Sequence, residues 1–200
     1  MDDNKTINLD DLLAGTSLDD VSAESSGYDE LKSGYYLSEV TEAKLGNSKS
    51  SGLPMVSFRF KVIQDGIIEM TDEENNTYFT RAKHTENRNI FKHYVLKDQK
   101  SIKTLVSDLL KYEGNVQGTP ILDEILTVED ENGKKKTSLP STEVLNGCLE
   151  VLTGLTIFVK VDVREDKEDK TKTNTWTSLV SWSRATELGL LSDELIVEEE

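Results

Sequence analysis

A mainly β domain with a helical insert is what the sequence predicts, and three observations carry that expectation. Two runs alternate with a period of two. "MVSFRFKVI" puts Val56, Phe58, Phe60 and Val62 on one face, with Ser57, Arg59 and Lys61 on the other. "LTIFVKVDV" puts Leu155, Ile157, Val159, Val161 and Val163 inward, with Thr156, Phe158, Lys160 and Asp162 outward. The strongest helical spacing lies between these runs, in "KDQKSIKTLVSDLLKYEGN", where Ile102, Leu105, Val106, Leu109 and Leu110 recur at i, i+3, i+4, i+7 and i+8.

The elements follow in order. After Gly34, the aromatic and β-branched run "YYLSEVTEAKL" predicts a first strand, in which Tyr35 and Tyr36 point opposite ways and one must leave the core face. "GNSKSSG" is a loop: Gly supplies unusual backbone angles, and Lys49 with its Ser and Asn neighbours supplies donors for phosphate, as a mobile clamp needs. The second strand follows, then the Asp65 and Gly66 turn signal, then a third strand in "NTYFTRAKH", where Phe79, Arg81 and Lys83 share a face. The helix has Asp98 or Ser101 as cap and Gly114 past its end. A brief second helix is expected near Thr119 and Pro120, and "EDENGKKKTSLPS" reads as a polar loop or hairpin tip. "STEVLNGCLEVLTG" suits a short helix ended by Gly154. "LTIFVKVDV", the charged loop "REDKEDKTKTN" and "TWTSLVSWS" close the domain as a hairpin. The expected total is five strands, three before the helical insert and two after it.

Charge divides the chain. Of the net −15, residues 1–33 carry −7 and residues 185–200 carry −6, which leaves −2 for residues 34–184. The expected organisation is therefore a flexible acidic arm (1–33), a β domain (34–184) and a flexible acidic tail (185–200). The acidity of the ends says nothing against an anionic partner for the middle, where the block from Arg81 to Lys111 carries +5.

Other classes are disfavoured. Cys148 is alone, so no intramolecular disulfide forms, and a reducing compartment is the simpler reading. The N-terminus is acidic and no run of about 18 apolar residues occurs, so a soluble, cytoplasmic protein is expected. His84 and His93 lack metal-ligand spacing, and Cys148 sits in an apolar helical pattern. No Gly-rich phosphate loop, nucleophile elbow or paired-carboxylate motif is present, so neither an enzyme, a cofactor nor a metal is expected.

A three-strand meander, a helix and a hairpin is the order of the OB-fold, a five-stranded Greek-key barrel whose sheet face binds single-stranded nucleic acid. Beyond that order, "GYYLSEVTEAKLGNSKSSGLPMVSFRFKVI" resembles the opening of phage-encoded single-stranded DNA-binding proteins. "SIKTLVSDLLKYEG", "LTGLTIFVKVDV" with "NTWTSLVSW", and "LSDELIVEEE" are similar to that group's helix, closing hairpin and partner-recruiting acidic tail, over roughly residues 34–184 plus the tail. The insert from Gly114 to Pro140 departs from a minimal OB-fold.

The resemblance implies sequence-independent binding of single-stranded DNA in phage replication or recombination, in the host cytoplasm. Phosphate neutralisation falls to Lys49, Arg59, Lys61, Arg81, Lys83 and Lys160, and base stacking to Phe79, Phe158 and Trp176. Asp193, Glu194, Leu195, Ile196, Val197 and Glu198 form a tail that docks replication or recombination proteins or competes for the protein's own groove. The same basic residues also suit simple solubilisation of a sheet face. The alternative is a protein-interaction module, an acidic DNA mimic or a virion assembly factor, which the acidic ends motivate.

Overall fold

A long first strand organises the fold. In the computed structural model, which describes residues 31–72, 74–112, 126–129, 131–137, 139, 141–166, 173–192 and 196–197, β1 (Gly34–Asn47) uses both of its edges. One edge pairs antiparallel with β2 (Pro54–Val62) from Ser38 to Asn47, with a bulge between Val40 and Glu42. The same edge meets β3 (Gly66–Thr71) at Tyr35 and Ile67. The other edge pairs with β8 (Thr156–Glu165) from Gly34 to Glu39. The crowding needs glycine at two points: a Cβ on Gly34 would stand 2.6 Å from the Ile67 carbonyl oxygen, and one on Gly66 would stand 2.3 Å from the Tyr36 ring.

The remaining strands extend this frame. β4 (Thr77–Ala82) forms a hairpin with β3, and β5 (Asn89–Val95) pairs with β2. β9 (Thr173–Val180) pairs with β8. Between β5 and β8 lie α1 (Gln99–Leu109), a 3-10 turn (Leu110–Tyr112), the small hairpin of β6 (Thr127–Glu129) and β7 (Lys135–Thr137), and α2 (Thr142–Leu152). The Asp98 side chain caps α1, accepting from the Ser101 backbone N–H at 2.7 Å. After β9 come α3 (Trp182–Glu187) and β10 (Ile196–Val197), which pairs parallel with β4. The described residues lie in one compact unit, Leu31–Glu200, and no helix among them is long and apolar enough to cross a membrane.

Period-two alternation places the core. Val56, Phe58, Phe60 and Val62 of β2 meet Tyr36 and Val40 of β1, Val159 and Val161 of β8, Leu105 and Leu109 of α1 and Leu149 and Leu152 of α2, all buried on the inner side of the sheet. A second apolar cluster lies on the other side, where Tyr35, Ile67, Phe158 and Val180 pack with Ala185 and Leu190. Tyr35 and Tyr36 do point opposite ways, and the second cluster lets both be buried.

The structure is mainly β and antiparallel, and it corrects the finer expectation in three respects. Among the described residues five strands precede α1, so helices do not enter after the third. "GIIEMT" and "NIFKHYV" escape a periodicity reading because few of their residues are fully buried and Lys92 interrupts the inward set of β5. The sheet is not closed into a barrel: among the described residues β5 pairs only with β2 and β9 only with β8. Residues 185–192, expected in a flexible tail, pack instead, because Ala185 and Leu190 cover the outer apolar residues of β1 and β8. Residues 1–30 and the helix expected near Thr119 lie outside the described residues.

Candidate nucleic-acid interface

The bare part of the outer sheet face is where an aromatic residue stays uncovered. On β2, Arg59 points outward beside its register partner Phe91 on β5. The guanidinium carbon lies 6.0 Å from the centroid of the Phe91 ring, and Nε donates to Asn89 Oδ1 at 3.0 Å. Phe91 is 55% exposed, a large apolar area for folding to leave in water. Lys61 faces outward opposite Asn89, and Ser57 Oγ lies 3.1 Å from His93 Nδ1 on the same face. Glu42 of β1 is the acid beside Arg59, and its hydrogen bond with Lys44 holds its carboxyl below the usual value.

A second aromatic and arginine pair lies on β9 and β8. Trp176 is 52% exposed, and the Arg164 guanidinium carbon is 5.6 Å from its ring. Register makes Asp162 the direct partner of Trp176, so Arg164 reaches the ring diagonally. Phe91 and Trp176 flank the seam between β5 and β9, which is bridged by side chains: Thr177 Oγ1 donates to the Phe91 carbonyl at 3.5 Å, and Lys92 Nζ donates to the Thr177 carbonyl at 2.5 Å.

The residues expected from sequence divide accordingly. Arg59, Lys61 and Trp176 are outward-facing, and Arg59 and Trp176 each belong to a pair of one arginine and one exposed ring. Lys160 is half-buried, 3.3 Å from Asp162, with its ammonium 5.7 Å from the Tyr35 ring. Phe158 is not offered to a ligand: it has the outward parity its strand gives it but is 1% exposed, because the chain after β9 folds over it. Phe79 is half-buried against Tyr35, at 6.3 Å between ring centroids, so it too belongs to the second cluster. Arg81 shares that hairpin, away from Phe91, and Lys83 lies in the turn beyond the end of β4.

Lys49 is exposed at the tip of the loop from 48 to 53, but the expected mobile clamp is a turn bonded to itself. Ser48 N donates to the Leu53 carbonyl at 2.8 Å, Gly52 N to the Ser48 carbonyl at 2.8 Å, and Gly52 has φ +69. Its serines are engaged within the loop, with Ser48 Oγ 3.1 Å from Ser50 Oγ. Of the tail, Ile196 and Val197 are placed as strand beside Phe79 and Thr80, and Asp193, Glu194, Leu195 and Glu198 lie outside the described residues.

Sequence reasoning missed Phe91 and Arg164. The signal for Phe91 was the β-rich run "NIFKHYV", and for Arg164 the continuation of β8 beyond Val163 into charged residues. The arrangement offers cations and flat apolar faces rather than a nucleophile. Cys148 is buried, and that burial raises its thiol pKa, which suppresses the reactive thiolate. Among the described residues, no group of three or more His, Cys, Asp or Glu is arranged to hold a metal. No family model matches the chain, and no curated protein matches it at a significant level.

Proposed function

We propose that this chain binds single-stranded DNA without sequence preference, on the outer face that carries Arg59, Lys61, Phe91, Arg164 and Trp176. The observation that carries the reading is the pair of exposed rings on the two banks of one seam, each with an arginine beside it. Single-strand binders combine a cationic track for the phosphates with aromatic faces on which any base stacks, and each such stack contributes about 1–3 kcal/mol. Strand order supports an open OB-fold-like architecture: β1, β2, β5, β8 and β9 form its five-stranded frame, with the β3–β4 hairpin and the helical stretch as insertions. Binding only unpaired strands protects them and melts hairpins by mass action. In this reading the protein serves phage-type DNA replication or recombination, and the acidic residues from Asp193 to Glu198 recruit its protein partners.

The test is anisotropy of labelled oligo-dT, its duplex and oligo-U against the full chain in rising salt. Preference for oligo-dT over duplex, with log K falling linearly in log salt, supports the reading. No binding at low salt overturns it and turns attention to protein partners of the acidic ends.

A further inference from the structure

Phe91 and Trp176 stand on opposite banks of the β5–β9 seam, and the residues that join the banks lie one position further along each strand. Side chains alternate along a strand, so Lys92 leaves β5 on the side opposite Phe91 and runs beneath the sheet. There its ammonium donates to the Thr177 carbonyl at 2.5 Å and stands 3.6 Å from Asp108 Oδ2 of α1. It also lies 5.0 Å from the centroid of the Tyr94 ring.

An ammonium in this place needs a reason, since desolvating a charge is costly and an alkyl chain fills the same space without that cost. Neutralising Asp108 is not a sufficient one. Its carboxylate accepts from the Tyr94 hydroxyl and has Lys111 Nζ at 2.6 Å, so it is satisfied without Lys92. What Lys92 adds is the bond to Thr177, which ties β5 to β9 where, among the described residues, no backbone ladder does. With Asp108 holding the ammonium from below, that bond fixes the separation of two strands whose next residues are the exposed rings.

We propose that Lys92, anchored by Asp108, is a positioning residue that sets the spacing of Phe91 and Trp176, so that one DNA strand stacks bases on both at once. The inference rests on the strand-binding reading. Lys92 touches neither base nor phosphate in this role, and it acts by making two separate platforms a single pre-spaced one.

The test uses the full chain, labelled oligo-dT and a salt series, with Lys92→Met, Lys92→Arg, Asp108→Asn, Phe91→Ala and the double variants. The expected result is that Lys92→Met weakens binding about tenfold, the scale of one lost stack, with the salt slope unchanged. Lys92→Arg restores most of the loss. In the Phe91→Ala background Lys92→Met costs less than about threefold, because the spacing then has only one ring to serve. A salt slope lower by about one makes Lys92 a phosphate ligand and overturns the positioning role. Equal losses in both backgrounds make it a general stabiliser and overturn it as well. Should Lys92→Met not fold by circular dichroism, Asp108→Asn decides. It keeps the shape of the side chain and an oxygen for the Tyr94 hydroxyl but removes the charge that anchors the ammonium, and it is expected to weaken binding about threefold in the parent and not in Phe91→Ala; unchanged binding in the parent overturns the role. If the unaltered chain fails to bind oligo-dT, the strand-binding reading falls and the positioning role with it. If it binds, and Phe91→Ala weakens it while Lys92→Met does not, the positioning role alone falls.

Discussion

The Phe158 ring lies 6.0 Å from that of Trp182, the two planes tilted by 43°. This contact turns an outward-facing aromatic into core. Phe158→Ala removes a fully buried ring, which costs about 3–5 kcal/mol, and at about 2–4 °C per kcal/mol for a domain of this size Tm falls by roughly 10 °C. Oligo-dT affinity, measured well below the new Tm, stays within about twofold, since loss of a base stack would cost more. Retained Tm with lost affinity would instead return Phe158 to the interface.

Phe91→Ala has the opposite signature. Its ring is more than half exposed, so Tm is expected to move by no more than about 2 °C, the effect of an ordinary surface substitution. Affinity for oligo-dT falls about fivefold to a hundredfold, and Trp176→Ala behaves likewise. Calorimetry and anisotropy on the same samples separate the two kinds of aromatic.

Arginine substitutions on the bare face are read from salt dependence rather than affinity alone. Arg59→Met and Arg164→Met each lower the slope of log K against log salt by about one, the amount for one phosphate contact. Lys160→Met lowers it by less, because Asp162 stands 3.3 Å from that ammonium and competes with phosphate. Slopes unchanged in both arginine variants would move the phosphate track elsewhere.

Where sequence and structure agree, a single physical pattern decides the outcome. Strict alternation made β2 and β8 legible, and i, i+3, i+4 spacing with Asp98 as cap made α1 legible. β5 was not legible because Lys92 occupies an inward position that only contacts with residues distant in sequence, the Thr177 carbonyl and Asp108, explain. Phe158 was read on the correct face, but strand parity cannot say what later folds over that face. Trp176 and Phe91 illustrate the converse: both carry outward parity, and only three-dimensional packing shows that the described residues leave more than half of each exposed.

Three buried phenols set the alkaline limit. Burial pushes the Tyr36 hydroxyl up to about 12, against a smaller lowering by Arg88, and it donates to the Lys32 carbonyl at 2.7 Å. Tyr94 and Tyr112 are also raised, chiefly by burial and further by the Asp108 charge. A raised folded pKa stabilises the fold fully below the unfolded value near 10 and loses that contribution as pH climbs toward the folded one. Stability measured by urea unfolding is therefore expected to be flat from pH 8 to about 9.5 and to fall between about 10 and 12. Tyrosinate absorbance from these three residues should appear together with loss of near-ultraviolet circular dichroism. Full ionisation of all tyrosines in a chain that keeps its native spectrum would contradict the burial argument.

The C-terminal segment combines two roles that truncations can separate. Ending the chain after Ser192 removes five acidic residues and leaves α3, Leu188 and Leu190 in place over Tyr35 and Phe158. Ending it after Ser181 removes Trp182, Ala185 and Leu190 and uncovers the second cluster. The shorter chain is expected to lose more than about 3 kcal/mol, the scale of deleting large core side chains, and to bind a hydrophobic dye at 25 °C. The longer one keeps most of its Tm, losing only what the short β10 pairing contributes, and binds oligo-dT more tightly because less negative charge competes with the phosphates. That gain should shrink as salt screens it, with a Debye length of about 10 Å at 0.1 M. A gain that survives in high salt would instead mean that the removed residues block the face sterically.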